Sequence, residues 1–181
     1  MRSFATAPRR LRLLLLVVVF SFACLGCLAT SAARAAGPSE VSVSTGAFGL
    51  RSDTQAEAAA EVRFAHHKLH WLPRFIPELA PATGVMVSTQ GAFFVYSGFR
   101  CDVALGAPWE LSIQFAPGIY SHGNEGFKLG GPIEFRSGIE LSRRLGDHGR
   151  LGLMLFHLSN AHIYVHNPGS ESLVVTYGFR P

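Results

Sequence analysis

Leu151-Gly152-Leu153-Met154-Leu155-Phe156-His157-Leu158-Ser159 sits inside a run read here as a β-strand over residues 149–161. Successive strand side chains point to opposite faces, so Leu151, Leu153, Leu155, His157 and Ser159 form one stripe while Met154, Phe156 and Leu158 form the other. With both stripes apolar, parity alone does not say which of them is outside. The run is longer than the five or six residues usual in soluble sheets and suits the roughly 9 to 11 residues that cross a bilayer at a tilt.

Outward from this segment, short runs of Val, Ile, Phe, Tyr and Leu alternate with Gly, Pro, Asp or Asn punctuation. Further strands are predicted at 40–50, 58–70, 82–90, 92–104, 109–120, 131–145 and 171–180. Ala56 to Ala60 would also suit a turn of helix. Period-two alternation is visible in Val85-Met86-Val87-Ser88-Thr89 and, read as imperfect, in Glu134 to Leu141. Closing the strands into a barrel leaves no sheet edge for lipid to face unpaired. The predicted fold class is therefore an all-β, about eight-stranded antiparallel outer-membrane β-barrel. Trp71, Phe75, Phe93, Phe94, Tyr96, Phe99, Trp109 and Tyr120 lie near strand ends, where such barrels carry interfacial aromatic girdles. A periplasmic β-sandwich or lipocalin-like barrel shares the strand count and stays open at this point.

The first residues carry Arg2, Arg9, Arg10 and Arg12, then an apolar run from Leu13 to Ala29, then Ala33-Arg34-Ala35. That order is the signature of a secretory signal peptide, with cleavage expected after Ala35 or Ala36. Domains are accordingly expected at 1–35 for the leader and 36–181 for the barrel. The leader takes five of the sixteen Lys+Arg and no acid, leaving eleven against twelve Asp+Glu. A near-neutral mature chain gives no support to a nucleic-acid partner. Only Cys101 remains after the leader, so no internal disulfide forms.

Chemistry concentrates in Phe156-His157-Leu158-Ser159-Asn160-Ala161-His162 and the following Asn167-Pro168-Gly169-Ser170-Glu171. A serine hydroxyl needs a neighbouring base, and the imidazole needs a carboxylate to hold its tautomer. His157 and Ser159, two apart on a strand, project side by side. The Asn-Pro-Gly turn reverses the chain and brings Glu171 back beside them, across a strand spacing of about 4.8 Å. Asn160 is a candidate oxyanion donor through its side chain or backbone N–H. Such triples also arise by chance, and a non-enzymatic barrel serving binding, adhesion or a channel gives no reason for a carboxylate after the turn. His66, His67 and His70 lack the shared face and carboxylates of a metal set. Neither G-x-S-x-G nor H-E-x-x-H is present. Arg136, Arg143, Arg144 and Arg150 are read as solvated surface charge, with lipid phosphates or carboxylates at membrane-proximal ends as the alternative.

The His157-Leu158-Ser159-Asn160-Ala161 string with its Asn-Pro-Gly turn and Glu resembles the H-x-S-N-A motif of the lipid A 3-O-deacylase (PagL) family. Gly130 to Ser137 looks like that family's penultimate hairpin, and the likeness extends loosely over the mature chain. The resemblance implies an outer-membrane serine esterase that hydrolyses the ester-linked hydroxyacyl chain at the 3 position of lipid A. It implies His157, Ser159 and Glu171 as triad and Asn160 at the oxyanion hole; no cofactor and no metal are expected. Lipid A in the outer membrane is the implied partner, and a homodimer is left open. The chain departs from the usual aromatic terminus of such barrels, since Arg180 and Pro181 follow Phe179.

Overall fold

The computed structural model describes residues 39–50, 57–66 and 79–180. The predicted leader, His67, His70, Trp71 and Phe75 lie outside them. The strands are β1 (Glu40–Phe48), β2 (Glu57–Ala65), β3 (Leu79–Ser88), β4 (Phe93–Gly106), β5 (Trp109–Ser121), β6 (Ile133–Leu145), β7 (Gly149–Ser159) and β8 (Ser170–Phe179). Each pairs antiparallel with its sequence neighbour, and β1 pairs with β8 from Val41↔Phe179 to Phe48↔Ser172, closing the barrel. Every strand thus finds backbone partners on both sides, which a bilayer core requires.

Strand identity follows the sequence reading, with instructive shifts at the ends. Ala56 to Ala60 does not start a helix; Glu57 to Ala65 alternates buried and exposed without a break, the period of a strand facing two environments. β2 stops at Ala65 and β3 begins earlier than read, at Leu79, running through Pro81. β7 ends at Ser159, because Ala161 and His162 take left-handed φ angles of 51° and 59° that no strand continues.

The two faces sort by chemistry. Outside lie Val43, Val62, Val85, Ile113, Leu141, Leu153 and Val175, each 39% exposed or more. An apolar belt of that extent is covered by lipid, not water, which removes the soluble-barrel alternatives. The stripe question in β7 resolves: Leu151, Leu153 and Leu155 face out, Met154, Phe156 and Leu158 face in. β6 keeps strict parity after all. Phe135 looks inward by exposure only because it stacks on Phe115 at 6.0 Å between ring centroids.

Inside, one half of the barrel is aromatic and the other ionic. Phe48, Phe94, Tyr96 and Tyr120 pack in the lumen, so three of the expected girdle aromatics, Phe94, Tyr96 and Tyr120, are core residues instead. Phe93 and Trp109 do stand outside at strand ends, at 42% and 47% exposure. Arg136 and Arg150 are likewise interior rather than surface charge. Even-numbered positions of β6 and β7 point inward, and in a closed barrel an inward arginine has nowhere to go except a carboxylate. Arg136 binds Glu61 at 2.6 Å, Arg63 binds Glu140 at 2.7 Å, and Arg150 bridges Glu40 at 2.8 Å and Glu140 at 3.0 Å. These bonds span the lumen.

Removing one member strands a buried charge, which costs about 3–5 kcal/mol. Glu140→Leu, which takes from Arg63 its carboxylate at 2.7 Å and leaves Arg150 with Glu40, is expected to lose that much in urea unfolding from micelles, whereas Leu141→Val, one residue on and facing out, stays within about 0.5 kcal/mol.

Candidate active site

β7 and β8 place the predicted triad. Their register pairs His157 directly with Glu171, and Phe135 of β6 pairs with Ser159 on the other side of β7. Directly opposed residues bring their side chains together on one face. His157 Nδ1 accordingly stands 3.3 Å from Glu171 Oε1. Ser159 follows on the same outward stripe, continuous with Leu151, Leu153 and Leu155. His157 is 40% exposed and Glu171 27%, so the pair is open to the barrel's outer surface near the rim. Among the described residues no hydrogen bond joins Ser159 Oγ to His157; such bonds tighten when substrate binds.

The imidazole is held from the other side by Gly169. Its φ of +70° makes the turn into β8, and a Cβ built there would sit 2.7 Å from His157 Cε1. Glycine is needed twice, for the left-handed backbone and for the ring's seat. This residue was read only as part of a turn, since close approach to a side chain leaves no mark in a single sequence.

Asn160 sits differently from the expectation. It is the next residue after Ser159, so its side chain turns into the lumen and is fully buried. Both N–H bonds of its Nδ2 have acceptors, the carbonyls of Leu129 and His166, each at 2.9 Å. Its backbone N–H donates to Asn167 Oδ1 at 3.0 Å. Asn160 thereby ties three pieces of the rim together: the β5–β6 loop, the β7–β8 loop and the end of β7. Gly130 permits the closeness, since a Cβ there would lie 1.9 Å from the His166 carbonyl oxygen. His162, a competitor for the base role on sequence, faces Asn167 instead, with Nδ1 3.2 Å from Nδ2. No cluster of three potential metal ligands occurs among the described residues.

Gly169→Ala is expected to keep the barrel folded yet displace the ring, lowering kcat on the order of 10²-fold, the usual cost of an ångström's misplacement. Turnover of a short-chain ester beside heat-modifiable gel mobility checks both halves.

Comparison with known proteins bears on the fold and the family. The crystal structure of the outer membrane enzyme PagL superposes with a TM-score of 0.61 at 19% identity, covering 78% of this chain and 99% of that one. A de novo designed transmembrane β-barrel superposes at 0.48 and 11% identity, covering 80% and 97%. Comparison with curated protein sequences finds no match. The family model of lipid A 3-O-deacylase (PagL) matches residues 52–180. That span contains the whole motif region and most of the barrel, and the chain belongs to the lipid A 3-O-deacylase (PagL) family.

Proposed function

We propose that the protein carries out the family's reaction, 3-O-deacylation of lipid A in the outer membrane, through a triad of Ser159, His157 and Glu171. The observation that carries this reading is the His157–Glu171 contact of 3.3 Å on the same lipid-facing stripe as Ser159. A substrate whose acyl chains never leave the bilayer must meet its nucleophile on the outside of the barrel, and the stripe supplies an apolar approach to it.

Ser159 Oγ attacks the ester carbonyl while His157 takes its proton; Glu171 holds the imidazole tautomer and stabilises the imidazolium. Collapse of the tetrahedral intermediate returns that proton to the departing sugar oxygen and leaves the hydroxyacyl chain on Ser159. Water, deprotonated by His157, then releases the fatty acid. The oxyanion needs a donor beside Ser159. Because the Asn160 donors are engaged, we assign this part to the Ala161 N–H. Ala161 follows the strand's end by two residues, in the left-handed turn at φ 51°. Asn160 serves the oxyanion site by fixing that turn.

Mass spectrometry of lipid A incubated with detergent-solubilised protein is expected to show loss of one hydroxyacyl chain. Ser159→Ala and His157→Ala should abolish it, by on the order of 10⁴-fold or more, and Glu171→Ala should leave a weaker enzyme. Deacylation that persists in folded Ser159→Ala would refute the assignment.

A further inference from the structure

The outer wall beside the proposed triad carries a hydroxyl that the mechanism above does not use. Ser137 of β6 stands directly opposite His157 in the β6–β7 register, with Glu171 opposite His157 on the β8 side. Its side chain is exposed on the outer face. The outward positions that continue toward the far rim, Ile139 and Leu141 on β6 and Leu151, Leu153 and Leu155 on β7, are apolar. The register sets Phe115 of β5 beside Ser137, and Phe135 and Ile139 share its face along β6. No hydrogen bond from Ser137 Oγ to the protein occurs among the described residues. A hydroxyl that opens toward hydrocarbon without a partner is disfavoured, so this position calls for a partner from outside the chain.

Depth decides which part of a substrate it meets. β7 runs from Gly149 to Ser159 at the rim, so His157 lies two residues below Ser159, and Ser137 lies level with His157. A lipid whose sugar sits at the rim sends its acyl chain downward, which puts Ser137 on the acyl side of the ester. Ser137 and Ser159 are diagonal neighbours on adjacent strands, a spacing of about 7–8 Å. An acyl carbon bonded to Ser159 Oγ, two further carbons at about 1.5 Å per bond and a hydrogen bond of about 2.8 Å cover that span. The chain hydroxyl that reaches Ser137 is therefore one on the third carbon, counting the carbonyl as the first; on the second carbon it stops a bond short. Drawn below the headgroups, such a hydroxyl lacks partners too, and each hydroxyl satisfies the other.

We propose that Ser137 is a specificity-determining residue of the deacylase: its hydroxyl shares a hydrogen bond with a hydroxyl on the third carbon of the acyl chain. The site thereby selects 3-hydroxyacyl esters over unsubstituted esters of the same length. This inference rests on the Ser159 reading, because the nucleophile sets where the acyl carbonyl lies.

Matched 3-hydroxyacyl and unsubstituted p-nitrophenyl esters, offered to the detergent-solubilised full-length barrel, test the selection. The parent is expected to favour the hydroxyacyl ester about tenfold in kcat/KM, the yield of one hydrogen bond. Ser137→Ala should lose that preference, and Ser137→Thr, which keeps a hydroxyl, should retain most of it. A merely structural role would slow both esters alike; that result, or a preference that survives in Ser137→Ala, overturns the proposal. Binding of the matching non-hydrolysable amides, followed through the His157 ring resonances, needs no turnover and so separates failure of this inference from failure of the triad. The parent should bind the hydroxyacyl amide about tenfold more tightly, and Ser137→Ala should bind the two amides equally. Equal affinities in the parent would overturn the proposal even where lipid A is deacylated.

Discussion

A backbone N–H or C=O left unpaired in hydrocarbon costs several kcal/mol, and this requirement organises everything else in the molecule. It forces β1 onto β8 and so closes the sheet. Closure gives each strand one face toward lipid and one toward the lumen, and the alternation of apolar and charged residues from β1 to β8 follows from that division. The stripe that carries the proposed triad is one instance of the same rule. His157 and Ser159 look outward because Leu151, Leu153 and Leu155 do, and Glu171 meets His157 because antiparallel register sets it there.

The lumen settles a different account. Arginines and carboxylates directed inward cannot be hydrated freely, so they pair across the barrel: Arg63 with Glu140, Arg100 with Glu40, Arg136 with Glu61. Ionic contacts gather toward the end where β1 begins and β8 ends, while Phe48, Phe94 and Tyr120 fill the end that holds His157 and Ser159. The site rim therefore rests on an apolar plug, with Asn160 as its main polar tie, hydrogen-bonded to two loops at once. On the proposed mechanism this rigidity matters because a nucleophile on an outer wall has no surrounding cleft to position it.

Much of this was legible from residues alone. Strand number, the shared face of His157 and Ser159 and the return of Glu171 all follow from period-two geometry and one Asn-Pro-Gly turn, whereas which face looks outward does not, since both stripes of that strand are apolar. What escaped was whatever depends on which neighbour a side chain meets across the lumen. Tyr96 and Arg136 read as girdle and surface residues, yet they touch each other and Glu61 inside, since an aromatic or an arginine suits either face of a strand. Asn160 read as a donor to substrate because its amide is a donor; that its N–H groups are consumed by Leu129, His166 and Asn167 is a fact of loop packing, not of local sequence. Gly169 is hidden for the same reason, as its contact with the His157 ring exists only once the turn has folded.

The central claim is that Ser159, on the lipid-facing wall, is the nucleophile and His157 its base. Treating the folded, lipid-embedded protein with a long-chain alkyl fluorophosphonate and mapping the adduct by peptide mass spectrometry tests it most directly. A single adduct on Ser159, formed by the parent and not by folded His157→Ala, is the result this account predicts. An adduct on another residue, or an unmodified Ser159 in protein that deacylates lipid A, would contradict it.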